Sequence, residues 1–130
     1  MTKSIIHTEQ APAAIGPYSQ AVKVAQTVYF SGQIPLVPNT GVLIEGSIDA
    51  QSRQVFENLK AVCVASGGTL ADIVRVGIYL TDLADFAVVN AVMAEYFQAP
   101  YPARSTIQVS ALPKAAQVEI VAGAAAFRGV

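Results

Sequence analysis

Two charged residues, Arg104 and Glu119, interrupt C-terminal segments that otherwise have the composition of buried β-strands. Moving a charge out of water costs several kcal/mol unless the charge is paired or hydrogen-bonded. Glu119 lies between Val118 and Ile120, which point to the opposite face of a strand. If its strand pairs antiparallel with the strand of Arg104, the two charged side chains project from the same face. We therefore expect them to face one cavity and to hold a small substrate that carries a carboxylate.

The spacing of these two residues leaves simpler explanations open. A guanidinium is a rigid fork of donors that matches a substrate carboxylate, but it matches a protein carboxylate equally well. Arg104 can therefore be half of an ion pair at a subunit contact, and Glu119 can serve only to neutralise an arginine. Alternatively, burial and a nearby charge can poise Glu119 for proton transfer.

Four further residues are candidates for the same site. Ser31 and Gly32 end a predicted strand, where free backbone N–H groups can meet an anion, although a plain turn explains them too. Tyr18 can bring its hydroxyl to the rim of a pocket or be an ordinary half-buried tyrosine. Asn90 lies on a predicted helix, where an amide is unfavourable unless it is solvated or contacts a site.

The composition points to one domain, 1–130, that associates with copies of itself. Charged residues make up 13% of the chain, against ~25% in typical soluble domains, and 53% of the residues are hydrophobic. A domain of this size has difficulty hiding so much apolar surface, so we expect a homo-oligomer. No apolar run reaches the length of a membrane span and no secretory signal is present, which favours the cytoplasm.

Charge and metal-binding residue types count against several classes of function. The net charge is −1 and no cluster of Lys and Arg occurs, which counts against nucleic-acid binding. Cys63 is the single cysteine and His7 the single histidine, so the sequence predicts neither an intrachain disulfide nor a metal site. Ser19, Ser31 and Ser105 have no plausible histidine base, which counts against a serine triad.

Hydrophobic periodicity predicts an α+β fold. Two helices are expected, one from residue 48 with Ser47 or Asp49 as its cap, and one from 81–82 that ends before Pro100. The expected strands are 3–8, 18–24, 27–31, 73–80, 104–110 and 117–127, with a hairpin turn at 25–26. This order suits a mixed β-sheet with both helices packed on one face, and the other face left for a subunit contact.

In the last two strands, alternation predicts which side chains meet the helices. Ser105, Ile107 and Val109 are expected to face the helices, and Arg104, Thr106, Gln108 and Ser110 to face away from them.

Several segments together resemble the Rid (YjgF) family over essentially the whole chain. The segments are AAIGPYSQA at 13–21, FSGQIP at 30–35, 54–59, 89–90, PARS at 102–105, LPK at 112–114 and VEI at 118–120. The resemblance implies a chorismate-mutase-like fold assembled as a homotrimer, with sites in the clefts between subunits. It also implies hydrolysis of reactive enamines and imines (2-aminoacrylate, 2-iminopropanoate, 2-iminobutanoate) to 2-oxo acids and ammonia, without a cofactor.

The resemblance also implies roles for the candidate residues. Arg104 would bind the substrate carboxylate, Glu119 would orient a water and assist proton transfer, and Tyr18, Ser31, Gly32 and Asn90 would complete the pocket. Many members carry a cysteine after the Arg-Ser pair, whereas this chain has Thr106, whose backbone can still line the pocket. A thiol nucleophile is therefore not essential here. The alternatives are a non-catalytic binder or sensor of small carboxylates and an RNA-cleaving translation inhibitor.

Overall fold

The fold consists of two helices and two β-sheets in the predicted order. A computed structural model describes residues 2–122 and 125–126. The elements are β1 (Lys3–Ile6), β2 (Ala21–Val24), β3 (Thr27–Phe30), α1 (Ile48–Ala65), β4 (Arg75–Leu80), α2 (Phe86–Tyr96), β5 (Ala103–Gln108), β6 (Val118–Ala122) and β7 (Ala125–Ala126). Short 3₁₀ turns precede β4, α2 and β6. The predicted α+β class is confirmed.

The two sheets meet at one pair of residues. The first sheet has the order β1-β2-β3-β7 and is antiparallel, and the second has the order β5-β4-β6. In the second sheet β4 is parallel to β5 and antiparallel to β6. Gln33, just after β3, exchanges two backbone hydrogen bonds with Ile120 of β6, at 2.8 and 3.0 Å. This bridge joins the sheets into one mixed layer.

Both helices pack on that layer through aliphatic and aromatic side chains. The α1 residues Val55, Phe56 and Leu59 are fully buried. Phe56 also stacks on Tyr96 at the end of α2, with ring centroids 5.3 Å apart. None of the helices in the described residues combines the length and the apolar character that crossing a bilayer requires.

The helix starts were predicted with unequal success. The Ser47 side chain accepts a hydrogen bond from the Ala50 amide at 3.2 Å, which confirms Ser47 as the cap of α1. At the second helix, the Asp82 side chain caps a 3₁₀ turn, Leu83–Asp85, and the α-helix begins only at Phe86. Capping residues mark the start of a helical segment but do not distinguish a 3₁₀ turn from an α-helical one.

Several strand boundaries were wrong. The predicted strands 3–8, 73–80 and 104–110 are Lys3–Ile6, Arg75–Leu80 and Ala103–Gln108, and 27–31 ends one residue early. Two further strands differ more. The predicted strand 18–24 begins only at Ala21, because the Tyr18 amide bonds to the Gly16 carbonyl in a tight turn at 2.9 Å. The predicted strand 117–127 is two short strands, β6 and β7, and its end at Phe127 lies outside the described residues. The predicted hairpin turn at 25–26 is confirmed, with Ala25 at a φ of 54°.

The predicted orientation of side chains in β5 was wrong. Because β5 runs parallel to β4, Arg104 lies beside Val76 and Thr106 beside Ile78, and both β4 residues are fully buried towards the helices. Arg104 and Thr106 therefore share the helix-covered face. Ile107, which was expected to face the helices, is 49% exposed on the open face.

The error in β5 has a physical cause. The open face carries apolar side chains of its own, so an apolar residue in an edge strand does not reveal which face the helices cover. Ser105 also lies on the open face, where its hydroxyl accepts a hydrogen bond from the Arg75 guanidinium at 2.8 Å.

A buried amide in α1 holds the segment that follows β3. The Asn58 Nδ2 group donates to the carbonyls of Leu36, at 2.9 Å, and Ile34, at 3.4 Å. Its Oδ1 atom accepts from Gln54 at 2.9 Å, so each polar atom of the side chain has a partner.

We expect the Asn58→Ala variant to be destabilised because it leaves the Leu36 and Ile34 carbonyls without these partners. The loss in free energy of unfolding should be about 1–3 kcal/mol, the usual cost of an unsatisfied buried group. Urea denaturation at a fixed protein concentration measures it, with the exposed α1 substitution Lys60→Ala as the control. Equal midpoints for the two variants would contradict this account.

Candidate active site

Arg104 and Glu119 do not face one cavity within a single chain. Strand β4 lies between their strands, so the expected antiparallel pairing of the two strands was wrong. Arg104 lies beside Val76, on the face covered by the helices, whereas Glu119 lies beside Tyr79 on the opposite face. The candidate residues are thus divided into two half-sites.

The first half-site surrounds Glu119. Its cavity of about 760 Å³ is also lined by Tyr18, Ser31 and Gly32, so the structure brings together four of the predicted site residues. The bridge between Gln33 and Ile120 explains this grouping, because it places the end of β3 directly against β6.

Gly32 provides the closest approach to the Glu119 carboxylate. A Cβ atom at position 32 would lie 2.8 Å from Glu119 Oε2 and 2.9 Å from its Cδ atom. Any other residue would therefore push the carboxylate aside or block its approach to the backbone. The requirement for glycine at position 32 is therefore steric. It arises where the backbone that follows β3 lies against the Glu119 carboxylate of β6.

Glu119 is half-buried in this cavity. Burial raises the pKa of its carboxyl group above the usual range for glutamate, because desolvation disfavours the charged form. A carboxyl group with a raised pKa can exchange protons nearer to neutral pH than an exposed glutamate can. The predicted effect of desolvation is therefore present in the single chain.

Ser31 and Gln20 shape the wall next to Glu119. The Ser31 hydroxyl donates to the Ser19 carbonyl at 2.5 Å, so within one chain it fixes the loop that carries Tyr18. The buried Gln20 side chain accepts from the Thr8 amide at 2.7 Å and donates to the Pro12 carbonyl at 2.8 Å. The sequence prediction did not single out Gln20 as a positioning residue, although it lies inside the segment that carries the family resemblance.

Tyr18 lies at the rim of the cavity, as predicted. Its side chain is 54% exposed, and its hydroxyl accepts a hydrogen bond from the Ile15 amide at 3.3 Å. That bond keeps the ring folded back over the loop at the cavity entrance.

The second half-site is built around Arg104 by three residues of α2. The Asn90 Oδ1 atom accepts from the guanidinium at 2.6 Å, and Met93 Sδ lies 3.6 Å from the same nitrogen. The Phe86 ring centroid lies 5.1 Å from the guanidinium carbon, within range of a cation–π interaction. Asn90 is therefore a direct partner of Arg104, and sequence spacing gave no sign of Phe86 or Met93.

Thr106 lies close to Arg104, but it lines neither the cavity around Glu119 nor the smaller pocket beside Arg104. It is half-buried on the same face of β5, two residues further along the strand. A role in lining a pocket stays a prediction for this residue. In the part of the chain that the structure describes, no group of three or more His, Cys, Asp or Glu side chains is placed to hold a metal.

Comparison with known proteins places this arrangement in a family. The sequence pattern described as endoribonuclease L-PSP matches residues 8–126. The 2-iminobutanoate/2-iminopropanoate deaminase of Dermatophagoides farinae is 51% identical over 91% of this chain and 92% of its own length. The chain belongs to the Rid (YjgF) family.

Two other comparisons show the range of names within the Rid family. Protein DfrA of Myxococcus xanthus is 53% identical over 92% of this chain and 93% of its own. The crystal structure of Escherichia coli TdcF with bound serine has a TM-score of 0.89 and 44% identity, covering 95% of this chain and 98% of that one. These comparisons confirm the family resemblance and leave the substrate of this Rid protein to be argued from its site.

The raised pKa of Glu119 predicts a pH-dependent effect of replacing it. A carboxyl group with a raised folded pKa stabilises the fold below its unfolded pKa of ~4.3, and that contribution is lost as pH rises through the folded pKa. The neutral Glu119→Gln variant should therefore gain stability relative to wild type between about pH 4 and pH 7.5.

Urea midpoints at the two pH values measure this difference, and an Arg104→Ala background keeps the guanidinium of a second copy from offsetting the effect of burial. The exposed substitution Glu45→Gln serves as the control for removing one carboxylate. If Glu119→Gln changes the urea midpoint by the same amount at both pH values, the raised pKa of Glu119 is contradicted.

Proposed function

We propose that this chain hydrolyses short 2-imino acids and their enamine tautomers, such as 2-aminoacrylate, 2-iminopropanoate and 2-iminobutanoate, to 2-oxo acids and ammonia. The observation that carries the proposal is the half-buried Glu119 carboxyl group, with its raised pKa, against Gly32 in an accessible cavity. The name of the D. farinae relative and the serine bound to TdcF support a small amino-acid-like substrate.

The reaction needs a proton, a water and a bound carboxylate. An enamine first takes a proton at C3 and becomes an imine, whose C2 atom is already electrophilic. Water adds to C2, the nitrogen takes a proton, and the C–N bond breaks to release ammonia and leave the 2-oxo acid. The barrier is lowered mainly by positioning the substrate and the water.

Glu119 is the proton-transfer group in this proposal. Its protonated form can donate to the substrate, and its ionised form can accept a proton from the attacking water. The Gly32 amide has no backbone partner among the described residues, and it lies beside the carboxylate at the cavity wall. That N–H group is free to bind the water or a substrate oxygen.

Arg104 supplies the carboxylate clamp. Its guanidinium has five donors, and Asn90 engages the Nη1 group at 2.6 Å. Phe86 covers it from the side of α2, which limits its rotamers. The donors that Asn90 does not engage are available to a substrate carboxylate.

The two half-sites are joined only if two chains contribute to one cleft. Arg104 and Glu119 project from opposite faces of the β5-β4-β6 sheet, so one chain cannot place both on one small substrate. The open face also exposes Ile107, which favours burial against another copy. We propose the homotrimer that the family resemblance implies, with one cleft at each contact.

The proposed chemistry uses no thiol and no cofactor. Position 106 is threonine, and the single cysteine, Cys63, is buried in the core. Burial raises the pKa of the Cys63 thiol to about 12, so it is a protonated, inaccessible core residue at neutral pH. The net charge of −1 also gives no support for the RNA cleavage that the family description names.

Arg104→Ala should abolish most of the activity because it removes the proposed carboxylate clamp. The fold should persist because Arg104 is exposed and lies outside the core. We expect kcat/KM for 2-aminoacrylate, generated in situ by a serine dehydratase, to fall by on the order of 100-fold. Release of pyruvate above the uncatalysed rate measures the activity, and Lys60→Ala, at an exposed position of α1, is the control for removing one cation.

Two outcomes would contradict the proposed function. Equal rates for wild type and a folded Arg104→Ala variant would remove the carboxylate clamp. Binding of a 2-oxo acid by wild type without faster loss of the imine would favour a non-catalytic binder instead.

A mixture of two inactive variants tests whether the cleft is shared. In oligomers assembled from equal amounts of Arg104→Ala and Glu119→Gln chains, some clefts receive Glu119 from one variant and Arg104 from the other. For random closed assembly about a quarter of the clefts are intact, so about a quarter of wild-type activity should return after co-refolding. A mixture that stays as inactive as its components would show that each chain uses only its own residues.

A further inference from the structure

The cavity around Glu119 extends well beyond the residues assigned to the reaction. Its volume of about 760 Å³ is in the range of pockets that enclose drug-sized ligands, roughly 300–1,000 Å³. From Gly32 and Glu119 its lining continues along Ile34 and Leu36 to the turn at 39–41 and to Lys114. In the proposed assembly a second copy fills part of this cavity to bring Arg104 to Glu119, but the lining from Ile34 to Lys114 continues beyond the residues that a three- or four-carbon imino acid would contact.

Lys114 lies at one end of that lining because of an unusual backbone conformation. Lys114 and Ala115 have φ values of 57° and 59°, in the left-handed region that non-glycine residues rarely adopt. Two such residues in succession form a tight turn after Pro113. Unfavourable backbone conformations of this kind persist only where the surroundings hold them, and they are frequent at ligand sites.

The ammonium group of Lys114 has a polar contact but no acidic partner. Its Nζ atom donates to the Gly41 carbonyl at 3.3 Å, which connects the turn at 113–115 with the turn at 39–41. Within residues 2–122, the two salt bridges both belong to Arg53, so no described carboxylate neutralises Lys114. An ammonium group has three donors, and the remaining ones are available to an anion in the cavity.

Glu119 and Lys114 act at separate places in the cavity. Burial is the cause that raises the pKa of Glu119, and Lys114 does not offset it. A lysine in contact with the carboxylate would have the opposite effect. Among the described residues no salt bridge joins Lys114 to Glu119, so the cavity presents an acid and a cation that are not paired with each other.

We propose that Lys114 forms a distal subsite for a second carboxylate, so that this chain also accepts imines of dicarboxylic amino acids such as 2-iminoglutarate. The inference rests on the proposed function and extends its substrate class. The 1-carboxylate binds Arg104 of the neighbouring copy, C2 lies near Glu119, and the side-chain carboxylate reaches Lys114. The step is the same hydrolysis: water adds to the C=N bond, and ammonia leaves to give the 2-oxo dicarboxylate.

Two imines of equal chain length test the subsite. An amino-acid oxidase with catalase generates 2-iminoglutarate from glutamate and 2-iminopentanoate, which lacks the distal carboxylate, from norvaline. Trapping with semicarbazide competes with hydrolysis and reports the imine that remains. The purified full chain is assayed in its native assembly over a range of imine fluxes.

Lys114→Met keeps the length of the side chain and removes its charge. This substitution should impair the hydrolysis of only one of the two imines. We expect kcat/KM for 2-iminoglutarate to fall about 10-fold or more, through a higher KM, while that for 2-iminopentanoate stays within about 2-fold. Lys114→Arg should retain most of the activity on 2-iminoglutarate. Lys60→Met, on the exposed face of α1, should leave both values unchanged.

The possible failures are distinguishable. Suppose that wild type hydrolyses 2-iminopentanoate and that Lys114→Met changes the hydrolysis of both imines equally, or of neither. This result would overturn the distal subsite and leave the proposed function intact. Failure of wild type to hydrolyse 2-aminoacrylate, 2-iminopentanoate and 2-iminoglutarate alike would overturn both.

Discussion

The backbone bridge between Gln33 and Ile120 is the contact on which the candidate site depends. It consists of two hydrogen bonds, at 2.8 and 3.0 Å, and it joins a sheet that carries Ser31 and Gly32 to a sheet that carries Glu119. Backbone pairing fixes the separation of two segments more rigidly than side-chain contacts do, since both partners have little conformational freedom. The short distance that a Cβ atom at position 32 would have to Glu119 follows directly from this bridge.

Hydrophobic periodicity predicted the elements, but it could not predict which strands are neighbours. Alternation assigns the side chains of a strand to two faces, yet the choice of face depends on contacts with residues far away in the chain. Strand β4 separates Arg104 from Glu119 because it pairs with both of their strands. Ile107 shows the same limit, since its apolar side chain belongs to an open face that the sequence alone cannot distinguish from the core.

The sequence proposed the residue types of the candidate site but not their arrangement. The charge argument holds for Glu119, which is half-buried, but within one chain Arg104 is exposed and needs no partner to offset desolvation. Its orientation comes instead from Phe86, Asn90 and Met93. Those contacts join α2 to β5, and nothing in the local sequence of either element encodes them. The sequence also gave no sign of the proposed role of Lys114, because the direction of its side chain depends on a left-handed turn.

The separation of the two half-sites affects the pKa of Glu119. In one chain, desolvation raises the pKa of Glu119 and no described cation opposes it. In the proposed homotrimer a second chain would bring Arg104 to the same cleft, where its positive charge would favour the ionised carboxylate and lower that pKa again. A bound substrate carboxylate would neutralise the arginine and reverse part of that effect. Under the proposed function, assembly and substrate binding would therefore shift the proton affinity of Glu119 in opposite directions, which suits a group that first donates a proton and then accepts one.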